Sequence, residues 1–91
     1  MTIKILEAKI DLLNSVSNTP MKPWKTLNGK RVGQIGNYHI YRAYGNTRVH
    51  QISNERGGKR DVTPFGTKSE VASEIDALIN FTCNEIEKSE G

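Results

Sequence analysis

Ninety-one residues, 25% charged and 35% hydrophobic, bound the chain to one domain, 1–91, with a small core. No apolar run approaches the ~20 residues of a membrane span, and the single cysteine, Cys83, excludes an internal disulfide and a cysteine-rich metal site. The net charge of +3 conceals a split: residues 21–68 carry ten Lys and Arg against two acids, whereas residues 69–91 carry six acids against one Lys.

In chain order, residues 2–17 predict an amphipathic helix. Leu6, Ile10 and Leu13 recur at helical spacing, and Ile3, Ile5 and Val16 widen the stripe. Lys4, Glu7, Lys9 and Asp11 interrupt what a secretory leader would keep apolar, so the expected location is cytoplasmic. Residues 18–29, containing Pro20 and Pro23, predict a connector. Within it, Trp24 has two readings: it seals the edge of a small core, or it anchors a partner.

Residues 30–65 predict a three- to four-stranded antiparallel meander. Its runs 30–35, 38–44 and 47–53 are separated by Gly36-Asn37 and Gly45-Asn46, dipeptides suited to two-residue hairpin turns. A turn centred on Gly45-Asn46 pairs Tyr44 with Thr47, Arg42 with Val49 and Ile40 with Gln51. That register puts Tyr38, Ile40, Tyr44 and Val49 on a core-facing side and His39, Tyr41, Arg48 and His50 on a wet side. Gly57-Gly58 marks a loop, and residues 60–63 predict a short last strand before Pro64. Residues 67–88 predict a helix: Thr67-Lys68-Ser69-Glu70 fits a capping box, and Val71, Ile75, Leu78, Ile79, Thr82 and Ile86 follow at helical spacing. The expected architecture is therefore α+β, with the C-terminal helix packed on one sheet face.

Function points to the basic meander. Lys and Arg neutralise phosphates, and strands can enter a nucleic-acid groove. The candidate binding residues are Lys30, Arg31, His39, Tyr41, Arg48, His50, Arg56, Lys59 and Arg60, with Arg31 and Arg48 expected on phosphates and Tyr41 and His50 on bases or sugars. The alternative is a small protein-binding accessory or inhibitor, of the kind mobile-element genomes encode. It would dock the basic sheet on an acidic protein surface, or use the acids Glu70, Glu74 and Asp76 on the last helix. A third reading is a homodimer, formed through a strand edge or the N-terminal apolar stripe.

His39 and His50 are too few ligands for a metal. No acid, base and nucleophile converge, so no catalysis and no cofactor are expected.

The order helix–strand–strand–strand–helix resembles that of double-stranded-RNA-binding domains, and residues 66–72, GTKSEVA, are similar to the start of their last helix. That family places several lysines there, whereas here Lys68 stands with Glu70 and Glu74, so its function does not carry over. The charge split is also similar to three-strand-plus-helix DNA readers such as the arm-binding domains of phage integrases. Those present the sheet to DNA and keep the helix behind it.

Overall fold

The computed structural model describes residues 1–90, with side chains described through residue 85. It has the order α1 (Ile3–Ser17), β1 (Trp24–Leu27), β2 (Lys30–Gly33), β3 (Tyr38–Ala43), β4 (Asn46–Ile52), β5 (Lys59–Asp61) and α2 (Lys68–Glu90). The architecture is α+β, with a helix at each end and antiparallel strands between. The strands form two sheets, a β1-β2 ribbon and a β3-β4-β5 meander.

Both helices begin where their caps dictate. Thr2 Oγ1 accepts from the Ile5 N–H (3.3 Å). Thr67 and Glu70 close the predicted capping box reciprocally, at 3.2 Å in each direction. α1 ends at Asn18, which adopts a left-handed conformation (φ 56°).

Leu6, Ile10 and Leu13 of α1 meet Val71, Ala72, Ile75 and Ile79 of α2 over Val49 of β4, with Tyr38, Ile40 and Val62 at the margin. Both helices thus cover the sheet face on which sequence alternation places Tyr38, Ile40 and Val49. Burial of each large aliphatic here contributes about 2 kcal/mol. Ile86, the last member of the α2 stripe, lies outside the described side chains.

One polar residue sits in this layer. Asn14 is fully buried. Its amide is clamped on the outer edge of β3: Nδ2 donates to Tyr38 O (2.9 Å), and Oδ1 accepts from Tyr38 N–H (2.8 Å) and from Thr19 Oγ1 (2.8 Å). The side chain imitates a neighbouring strand and satisfies backbone groups that an edge leaves open.

The strand layout departs from expectation in three places. First, 18–29 is not wholly a connector: Trp24–Leu27 pairs with Lys30–Gly33 across Asn28-Gly29. Both turn residues have positive φ (52° and 78°), the geometry that an Asn-Gly turn supplies at low cost.

Second, Gly36-Asn37 does not join two paired strands. Gly36 N–H donates to Ile52 O and Asn37 O accepts from Ile52 N–H, both at 2.9 Å, so two residues share one partner, in the manner of a β-bulge. The bulge ends the three-stranded sheet and turns the chain away from the ribbon. Asn37 is fully buried there, its Nδ2 donating to Pro20 O (2.8 Å).

Third, the β3-β4 turn is centred on Tyr44-Gly45 (φ 54° and 76°), one residue earlier than predicted. Ile40 therefore faces Val49, and His39 faces His50. The partners shift by two residues, so each side chain keeps its face. The observed register sets an apolar pair against the helices in place of Ile40 with Gln51. That burial offsets the roughly 1 kcal/mol cost of holding a tyrosine in the left-handed region.

Candidate functional site

The nine predicted binding residues fall into two groups, which meet at Lys59. His39, Tyr41, Arg48 and His50 share the sheet face opposite the helices, as alternation requires. That face is not an open wet surface. Tyr41 stacks on His50 with ring centroids 4.5 Å apart and planes 15° apart, and His39 meets His50 edge-on at 5.8 Å. Arg48 donates through Nε to Thr63 O (3.1 Å), lies 3.1 Å from Asp61 Oδ2, and covers Phe65 with its guanidinium 4.0 Å from the ring centre.

Asp61 organises this cluster. It stands opposite His50 in the β4-β5 pairing, so one carboxylate reaches Arg48 with one oxygen and His50 Nε2 with the other (3.1 Å). In the sequence Asp61 is only one of the two acids counted in residues 21–68. Its register with His50 was the missing signal, and Phe65 and Thr63 follow from the chain's course after β5.

Burial pushes both histidines toward the neutral form. His39 falls from its ordinary 6.5 to about 4, through burial first, then the charge of Lys59 and the neighbouring His50. His50 is also lowered: burial outweighs the opposing pull of Asp61, and Lys59 and Arg48 add to the lowering. With His50 neutral, Nε2–H donates to Asp61, leaving Nδ1 a bare, buried acceptor with no hydrogen-bond partner. His39 Nδ1 lies 3.2 Å from Asn37 Oδ1, and because Asn37 Nδ2 is already donating, the histidine is the donor. At neutral pH, then, neither histidine adds charge to this face.

A stability consequence follows. In the unfolded chain His39 takes up a proton near pH 6.5, but in the folded chain only near pH 4. Stability is intact above pH 6.5, falls as pH drops between these values, and levels off below the lower one. At about 1.4 kcal/mol per pKa unit, reduced for the ring's partial exposure, the loss from His39 is about 1–2 kcal/mol. Urea unfolding of the wild type and of His39→Gln at pH 7.0 and 4.5 measures it. The variant should lose less stability than the wild type, and equal losses would contradict this account.

The second group surrounds the β1-β2 ribbon. Its base is closed by Gln34, whose N–H donates to Pro23 O (2.8 Å) and whose Nε2 donates to Lys22 O (2.9 Å), and it is fastened to the body by Gly33 N–H donating to Glu55 O (2.7 Å). Trp24 lies against Gly57, where an added Cβ would overlap its ring, and Arg31 sits 4.4 Å above the ring centre. Trp24 thus locks the ribbon to the β4-β5 loop. Among the described residues, no hydrogen bond joins 25–32 to the rest of the chain.

The ribbon carries the exposed cations Lys25, Lys30 and Arg31, the adjoining loop carries Arg56, and the start of β5 adds Lys59 and Arg60. None of them forms an ion pair among the described residues. Arg60 Nε is held by Gln51 Oε1 (2.6 Å). Lys25 went unpredicted because its segment read as a connector, although Asn28-Gly29 was the signal for the ribbon.

The acidic candidates are differently placed. Glu70 is engaged in its helix cap, Asp76 pairs with Lys9 (2.7 Å), and Glu74 borders an apolar cleft of about 330 Å³ lined by Val62, Thr63, Pro64, Ala77 and Leu78. Cys83 is half-buried against the core. Among the described residues no three His, Cys, Asp or Glu are grouped to hold a metal ion, and no helix is long and apolar enough to cross a membrane. Compared with protein-family models, curated proteins and solved structures, the chain matches none.

Proposed function

We propose that the chain is a small non-enzymatic nucleic-acid-binding module that works through the basic β1-β2 ribbon, the β4-β5 loop beside it and the start of β5. The carrying observation is the set of six exposed cations, Lys25, Lys30, Arg31, Arg56, Lys59 and Arg60, without carboxylate partners among the described residues. Exposed cations without carboxylate partners attract a phosphate backbone and release its counterions. The face of the three-stranded sheet that carries His39, Tyr41, Arg48 and His50 is the weaker candidate for the contacts, since Asp61 already neutralises Arg48.

The rival is docking on an acidic protein surface, which the same cations favour. The helix version is weaker, because Glu70 and Asp76 are engaged within the fold. A pull-down from host lysate with and without nuclease separates the two. Nucleic acid should co-elute with the untreated protein. Protein partners captured equally after nuclease treatment, with no nucleic acid in either eluate, would overturn the reading.

A further inference from the structure

We propose that the target is duplex DNA, with the outward face of the β1-β2 ribbon lying in the major groove; this deepens the nucleic-acid reading above and rests on it. Binding a single strand without base pairing depends on open aromatic faces on which successive bases stack. The aromatic rings near the cations are engaged within the protein. Tyr41 is stacked on His50, Phe65 is covered by Arg48, and Trp24 carries Arg31 over its ring and Gly57 against its edge. Tyr44 is fully exposed, but it stands at the β3-β4 tip, at the opposite end of β3 from the ribbon junction. With six residues of β3 between them, that is roughly 20 Å away at ~3.3 Å per residue. One isolated ring makes no stacking platform.

The ribbon, by contrast, has the dimensions and chemistry of a groove reader. Two strands about 4.8 Å apart, with side chains, fill a width near 10 Å. The B-DNA major groove, about 12 Å wide, admits such a ribbon, while the minor groove, about 6 Å, does not. The deep, narrow major groove of A-form RNA excludes it as well.

Register assigns the faces. Trp24, Thr26, Arg31 and Gly33 share one side, and Trp24 and Gly33 turn it toward the 54–57 loop. Lys25, Leu27, Lys30 and Val32 share the other. The outward side therefore presents two lysines for phosphates around a half-exposed leucine (53%), suited to the apolar thymine methyl. Asn28 at the tip adds a donor and an acceptor.

The test compares one labelled 20-mer sequence as duplex DNA, single-stranded DNA and duplex RNA, titrated by fluorescence anisotropy at 50 mM salt. Duplex DNA should bind at least 10-fold more tightly than either alternative. The double variant Lys25→Gln/Lys30→Gln, at two exposed positions that leave the fold intact by circular dichroism, should weaken duplex binding by 10- to 100-fold. Tighter binding of the single strand or of duplex RNA would overturn the duplex-DNA assignment, as would an unchanged affinity in the double variant. Absence of binding to all three would overturn the underlying reading instead.

Discussion

Asn14→Ala is expected to destabilise the fold by about 3 kcal/mol, among the largest effects of any single substitution in the chain. Alanine is the better helix former, by about 0.5 kcal/mol, so local propensity predicts a gain. The loss arises elsewhere. Without the amide, Tyr38 N–H and C=O lose partners at 2.8 and 2.9 Å, and Thr19 Oγ1 loses an acceptor at 2.8 Å. The site is fully buried, so water cannot replace them freely. Each stranded polar group costs about 1–3 kcal/mol. Asn14→Asp keeps the two acceptor contacts but sets a carboxylate against Tyr38 O, and should be at least as damaging at pH 7. Urea unfolding checks both. A cost below about 1 kcal/mol for the alanine variant would mean that α1 is held to β3 by its apolar stripe alone.

Gly57→Ala should cost about 2–4 kcal/mol and loosen the ribbon. Two effects combine there. Gly57 has φ +91°, where a side chain is strained, and the new Cβ would run into the Trp24 ring. Gly45→Ala provides the control, because Gly45 also has positive φ (+76°) but its Cβ would meet nothing within 4 Å. That variant should lose only about 1 kcal/mol. The difference between them measures the Trp24 contact. Trp24 is the single tryptophan, so its fluorescence reports on this joint. Gly57→Ala should shift its emission to the red and weaken nucleic-acid binding, whereas Gly45→Ala should do neither.

The helices were legible because their signals are local. The Thr67–Glu70 capping box and the Leu6-Ile10-Leu13 stripe each lie within a few turns of one element, and the structure reproduces both. Strand faces were legible for the same reason, since alternation alone puts His39 and Tyr41 on one side and Ile40 on the other. Pairing was less so, because it depends on turns whose cost is decided elsewhere. Tyr44 accepts a left-handed conformation so that Ile40 meets Val49 in the core, a trade that local turn preference does not reveal. Asn28-Gly29 was a genuine local signal, masked by the prolines before it. Gly36-Asn37 resembled a hairpin turn but serves as a bulge, because both residues find a partner in Ile52, 15 residues from Asn37.

The candidate site divides along the same line. Charge was visible in composition, and the exposed cations of the ribbon and loop follow from it. The neutralisation of Arg48 was not, because Asp61 reaches it only through β5 pairing. The β3-β4 pairing sets His39 edge-on against His50, and burial keeps both uncharged at neutral pH. What the sequence presents as one basic-aromatic face is in the fold an internally paired cluster beside an open cationic ribbon.

The most direct test of that account is the salt dependence of binding to a labelled DNA duplex between 50 and 200 mM salt. About four phosphate contacts from the ribbon and loop give a slope of log K against log salt near −4, a loss of roughly 100- to 300-fold over this range. Reversal of Lys25, Lys30 and Arg31 to glutamate should abolish most of the affinity and flatten the slope. Binding that is absent at 50 mM salt, or that does not change with salt, would contradict the central claim.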